Sequence, residues 1–157
     1  MPNDIRRGQP APLFDLPAGD GGRARLADFK GRQVVLYFYP KDDTPGCTRE
    51  AVDFSGQREA FEAAGAVIVG ISKDSVAKHG KFAAKHGIRI SLGSDEAGTT
   101  CEDYGVWVEK SMYGKTYHGV ERATFLIGPD GIVREVWRNV KVPGHVETVL
   151  EAVRREG

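Results

Sequence analysis

The sequence predicts an α/β protein with a mixed central β-sheet flanked by helices. Three observations point there: apolar runs rich in β-branched and aromatic residues, helix-spaced apolar stripes between them, and a Gly128-Pro129-Asp130-Gly131 turn signal joining two late runs. The 157 residues fit one ordinary globular domain over 1–157, and 40 % hydrophobic residues supply its core. Lys plus Arg total 22 and Asp plus Glu total 22. That balance argues against nucleic acid or a membrane surface as a partner held by bulk electrostatics, and it is compatible with a monomer or a weak dimer. Met1 to Leu16 lacks the apolar run of a signal peptide, and no stretch approaches the roughly 18 apolar residues of a membrane span, so a cytoplasmic location is expected.

Taken in order, Gly19 to Arg25 reads as a small polar hairpin or loop. Val34 to Tyr39 is the first buried strand. Ala51, Phe54, Arg58 and Phe61 recur at helical spacing and the pattern stops at Gly65, which predicts one helix over Cys47 to Ala64. Ala66 to Ile71 is a second buried strand. Ser75 to His86 is a helix capped by Ser75 and closed by Gly87. Thr124 to Ile127 and Ile132 to Trp137 form a hairpin. Val146, Val149, Leu150 and Val153 make the apolar stripe of a closing helix after Pro143-Gly144. A βαβ unit followed by ββα on a mixed sheet is the thioredoxin-like arrangement, and right-handed crossovers would put helices on both faces.

Two cysteines in this length cannot be a disulfide scaffold, and no CxxC, CxxH or HExxH spacing makes a metal site. His79, His86, His118 and His145 look too scattered for a metal set and read as surface residues. Trp107 and Trp137 read as packing or rim aromatics, and no phosphate-binding Gly-rich loop is present. Cys47 follows the first buried strand across a polar loop, Pro40-Lys41-Asp42-Asp43-Thr44-Pro45-Gly46, and falls at the start of the next helix. Free N–H groups and the positive end of the helix dipole favour a thiolate there. A space-filling cysteine would sit inside an apolar pattern, so the reactive reading is preferred for Cys47. Cys101, on what reads as a short helix, is assigned to packing.

Pro40-x-x-x-Thr44-x-x-Cys47 resembles the active-site pattern of the peroxiredoxins. Tyr37–Cys47 with Thr48 and Glu50 is similar to the bacterioferritin comigratory protein, or peroxiredoxin Q, subfamily. The likeness continues through Gly70-Ile71-Ser72-x-Asp74, Ser94-Asp95-Glu96, Tyr104-Gly105-Val106-Trp107-x-Glu109-Lys110, Tyr113-Gly114-Lys115-x-Tyr117 and Arg122-x-Thr124-Phe125-Leu126-Ile127. It implies a thiol-dependent peroxidase that reduces hydrogen peroxide and organic hydroperoxides through a sulfenic acid on Cys47. Recycling would fall to an external thiol such as thioredoxin, with no metal, haem or flavin, in antioxidant defence and cell redox homeostasis.

Ionising an ordinary thiol fully gains only about tenfold near neutral pH, whereas enzymes commonly reach ~10⁶-fold, so positioned donors must supply most of the effect. The resemblance implies which groups these are. Thr44 is the hydroxyl on the thiolate and the peroxide, Arg122 the cation on the developing charge, and Pro40 the shield of the site. The backbone about Gly46 and Cys47 completes the contacts, and Glu50 orients Arg122. The chain departs from many relatives in its resolving thiol. Val52, Gly80 and Ala84 stand where those relatives carry it, which leaves Cys101 or an external reductant, and the latter is favoured. A thiol–disulfide oxidoreductase is the alternative enzyme, disfavoured because Thr44 stands where such proteins have the first Cys of CxxC. A non-catalytic thioredoxin-like interaction domain is the other alternative.

Overall fold

The structure is a computed structural model that describes residues 5–157; the first four residues of the Met1–Leu16 stretch lie outside it. Its centre is a five-stranded sheet in the order β5-β4-β3-β8-β9. Strand β3 (Gln33–Phe38) is buried throughout because sheet neighbours flank it and apolar layers cover both faces. It runs parallel to β4 (Ala66–Ser72) and antiparallel to β8 (Ala123–Ile127), with Tyr37 opposite Gly70 on one side and Thr124 on the other. β5 (Ser91–Ser94) extends the parallel side. β9 (Val133–Trp137) closes the predicted hairpin with β8 after a register shift at Leu126/Ile127.

Alternation along β3 divides the core. Val35, Tyr37 and Tyr39 point to a layer built by α1 (Pro45–Gly56), α2 (Arg58–Ala63), α3 (Val76–His86) and α5 (His145–Glu156). Val34, Leu36 and Phe38 point to the other layer. That layer contains Phe14, Leu16, Cys101 and Tyr104, together with Val106 and Val120 near the ends of β6 (Trp107–Met112) and β7 (Lys115–Val120). Four of the five helices therefore share one face. The expectation of helices on both faces is met only by two short turns, α4 (Thr100–Asp103) and the 3-10 turn Leu26–Phe29, because the N-terminal hairpin β1 (Asp15–Pro17)–β2 (Arg23–Arg25) does most of the covering there.

The predicted helix over 47–64 starts two residues earlier and is broken at Gln57, whose backbone leaves helical geometry at φ −104°, ψ 9°. The apolar spacing of Phe54 and Phe61 continues across that break, so the pattern could not report it. Ser75 caps α3 by accepting from the Lys78 amide, and Gly87 ends it in the left-handed region at φ 64°. β5 and the β6–β7 hairpin were not expected. β5 holds one large apolar residue, Leu92, and β6–β7 is largely exposed, so neither shows a strand's apolar signature.

Candidate active site

β3 delivers the chain to Pro40, a half-buried bend at the C-terminal end of the sheet, where ligands bind in open α/β folds. Thr44 occupies the N-cap of α1 in extended geometry, with Pro45 and Gly46 opening the helix. Cys47 is the third helical residue. Gly46 and Cys47 thus present amides with no intrahelical acceptor, and Cys47 as a residue is only 1 % exposed.

Arg122 enters from the start of β8. The antiparallel β3–β8 pairing sets Ala123 opposite Phe38 and so brings this residue to the end of β3. Its Nη2 donates to Cys47 Sγ at 3.3 Å and its Nη1 to Glu50 Oε1 at 2.7 Å. A Cβ on Gly46 would lie 3.2 Å from that Nη2, so the bare glycine leaves the guanidinium room to reach the sulfur. Burial opposes the charge on Arg122, but Cys47 and Glu50 outweigh it and raise its pKa further. Glu50 is fully buried. Burial pushes its carboxyl up to about 7 against the pull of Arg122, and its Oε2 has no partner. Glu121, next to Arg122, takes a two-pronged bond from Arg138 and a bond from the Asn139 amide, which fixes the backbone there.

Thr44 is at the site, but its hydroxyl proton goes to the Lys41 carbonyl at 2.8 Å and no bond to the sulfur forms. The Thr44–thiolate bond that the resemblance implies is thus not made in this structure, where the oxygen offers lone pairs rather than a proton.

Lys110 belongs to the Tyr104–Lys110 stretch that carries the family resemblance. It lies along the β6–β7 hairpin with Nζ donating to the Val120 carbonyl at 2.7 Å. Burial and the charge of Arg122 lower its pKa, while Cys47 opposes that, so a second cation stands within electrostatic reach of the sulfur.

Two histidines are not the surface residues expected. His79 is fully buried against Asp42, and His145 lies between Phe54 and Trp137 with Nε2 2.8 Å from Thr124 Oγ1. Burial, reinforced by Arg122, holds His145 down at about 4. His79 falls three residues before Phe82 on the buried stripe of α3, a signal the sequence did carry. Asp42, Asp74 and His79 are close enough to share a cation, but each already bonds protein groups.

Cys101 is also fully buried, on the opposite face of the sheet from Cys47. Burial and the neighbouring Asp95 carboxylate push its thiol far above the ordinary range. Asp95 accepts from the Thr100 and Cys101 amides, filling the start of α4 with a negative group.

This strand–loop–helix site has close counterparts. Residues 7–136 match the AhpC/TSA family. The chain is 51 % identical over 146 residues to a putative peroxiredoxin Bcp of Coxiella burnetii, covering 93 % of this chain and 97 % of that protein. It is 46 % identical over 150 residues to the peroxiredoxin Bcp of Bacillus subtilis, covering 96 % of each. Among solved structures, Xylella fastidiosa PrxQ superposes with a TM-score of 0.92 at 38 % identity over 98 % of both chains. The Xanthomonas campestris bacterioferritin comigratory protein, described for alkyl peroxide reduction, superposes at 0.86 with 44 % identity over 91 % of both. With a thioredoxin-like sheet, a cysteine at the head of α1 and these relatives along nearly its whole length, the chain belongs to the AhpC/TSA family, among its Bcp, or Q-type, peroxiredoxins.

Proposed function

We propose that this chain is a thiol-dependent peroxidase acting as one domain over 1–157, with Cys47 as the attacking thiol. The observation that carries the reading is the 3.3 Å approach of Arg122 Nη2 to Cys47 Sγ at an uncapped helix start. The sulfur attacks the terminal oxygen of R–O–O–H, an S–O bond forms and the O–O bond breaks. Sulfur loses two electrons to the peroxide and becomes a sulfenic acid, and the alkoxide leaves as the alcohol after taking a proton. Arg122 and the Gly46 and Cys47 amides stabilise the charge that moves onto oxygen. Thr44, its own proton engaged, accepts from the peroxide O–H. Glu50 holds the guanidinium in register, and Pro40 shields the loop. The substrates are hydrogen peroxide and organic hydroperoxides.

Cys101 is unsuited to resolve the sulfenic acid. The central sheet lies between the two sulfurs, and a disulfide needs Cα atoms within about 7 Å. An external thiol, thioredoxin or its equivalent, completes the cycle. The protein works in the cytoplasm as a monomer or weak dimer; among the described residues no helix is long and apolar enough to cross a membrane.

Peroxide added to reduced protein should yield one sulfenic acid, trapped by dimedone on Cys47 and absent from Cys47→Ser. Peroxide left unconsumed would sink the reading. Intact mass without reductant should show a gain of about 16 or 32 units rather than a loss of about two. Insulin reduction would instead favour a thiol–disulfide oxidoreductase, and equal turnover by wild type and Cys47→Ser an interaction domain.

A further inference from the structure

The loop that carries Thr44 and leads into Cys47 is fastened to α3 by its two consecutive aspartates. Asp43, with a left-handed backbone at φ 61°, takes Lys85 Nζ at 2.9 Å and His86 Nε2 at 2.8 Å on the outside. Asp42 turns inward. Its Oδ2 lies 2.6 Å from His79 Nδ1, its Oδ1 accepts from the Tyr39 hydroxyl at 2.6 Å, and its amide donates to Asp74 Oδ2 at 2.8 Å. The side chains of His79 and Asp42 are 0 % and 3 % exposed.

The proton count of this inner contact follows from its partners. His79 Nε2 sits 2.9 Å from the Gly93 carbonyl, an acceptor only, so Nε2 carries a hydrogen. Were Nδ1 then a bare lone pair, it would face a carboxylate oxygen at 2.6 Å, two acceptors repelling in a medium of low dielectric. One hydrogen therefore lies between Nδ1 and Oδ2, whether the pair is written as imidazolium–carboxylate or imidazole–carboxylic acid. The ring has little freedom to turn elsewhere. A Cβ on Gly19 would lie 2.7 Å from His79 Cβ and 3.1 Å from the Gly80 amide, so the β1–β2 turn seats directly on this part of α3.

We propose that His79 is a positioning residue for the Cys47 reaction: through the single hydrogen it shares with Asp42 it fixes the Pro40–Thr44 loop, and with it Thr44 and the amides at the head of α1. This rests on the peroxidase reading above. Misplacing a reacting frame by a fraction of an ångström costs rate steeply, up to about a hundredfold per ångström. Alkylation of the thiolate by a small reagent needs an ionised and reachable sulfur but no donor aimed at a leaving oxygen.

The test compares, for each variant, the second-order rate of peroxide reduction with the rate of Cys47 alkylation by iodoacetamide at the same pH. Asp42→Ala and His79→Leu should each slow the peroxide reaction about tenfold or more while alkylation changes less than about threefold, and the double variant should be no slower than the slower single. Asp42→Asn should keep most of the peroxide rate. Its carboxamide oxygen can still accept from Tyr39, and its N–H can donate to Nδ1, restoring one hydrogen at the contact. If His79→Leu does not fold, Asp42→Ala against Asp42→Asn decides the matter by the same comparison. Wild-type peroxide rates in the Ala and Leu variants, an Asn variant as slow as Ala, or parallel loss of both rates would overturn the proposal. Wild-type protein that consumes no peroxide would overturn the underlying reading instead.

Discussion

Cys47 and Cys101 share almost every feature by which a cysteine is usually sorted. Both are buried, at 1 % and 0 % exposed, and both sit in the first turn of a helix just beyond the end of a sheet strand. They differ in what faces that turn. At α1 the partner is a guanidinium 3.3 Å from the sulfur, whereas at α4 it is the Asp95 carboxylate, 2.8 Å from the Cys101 amide. Burial and helix position are common to both and so do not tell them apart; the charge facing the turn does, a guanidinium at Cys47 and, at Cys101, a carboxylate that adds to the effect of burial on the thiol. An amide already bonded to a carboxylate cannot also serve an oxyanion, and a negative neighbour disfavours a second negative charge.

The largest break in this contrast comes from removing the cation. Arg122→Met should lower kcat/KM for peroxide by about a hundredfold to a thousandfold, the usual cost of a lost charge-stabilising donor, measured by competition or stopped flow. An effect below tenfold would mean that the helix amides alone distinguish the two sites.

A second test uses Glu50, the carboxyl within the Cys47 site. Its folded pKa of about 7 lies above the usual value of 4.5, so the folded protein holds this proton more tightly than the unfolded chain. The associated stability is complete below pH 4.5 and is lost as pH rises through 7, by an amount on the order of 3 kcal/mol. Glu50→Gln removes the titration. Relative to wild type its Tm should therefore improve between pH 5 and pH 8, and a constant difference in Tm across that range would count against a buried, titrating Glu50.

The smallest effect belongs to the other sulfur. Cys101→Ala should leave peroxide turnover within about twofold and cost stability alone, about 1 kcal/mol for a small buried cavity, seen as a lower urea midpoint. A large loss of turnover with the physiological reductant would make Cys101 a working thiol after all.

What could be read in advance divides along similar lines. The place of Cys47 was legible because Pro45-Gly46 and the strand before it mark a loop-to-helix junction, whereas Arg122 came only with the family resemblance, since a residue before an apolar run reads equally as a solvent-facing strand end. The Thr44 hydroxyl was not, since choosing between Lys41 O and the sulfur depends on a side-chain rotation. The stretch Trp107–Val120 carries Lys110 to the site, yet its strands are held by pairing with each other rather than by burial, and periodicity reports only burial. The clasp between Asp42 and His79 joins residues 37 positions apart, and only the parallel arrangement of β3, β4 and β5 with α3 beside them makes them neighbours.

The sheet between the two sulfurs has a consequence in time as well as in space. A peroxidase that closes its own disulfide leaves the sulfenic state at a rate written into its fold. With the external thiol proposed above as the reductant, that state would end only on encounter with another molecule, its lifetime would scale inversely with reductant concentration, and further oxidation of Cys47 by peroxide would compete with its reduction. The oxidised fraction at any moment then measures the ratio of peroxide to thiol around the protein.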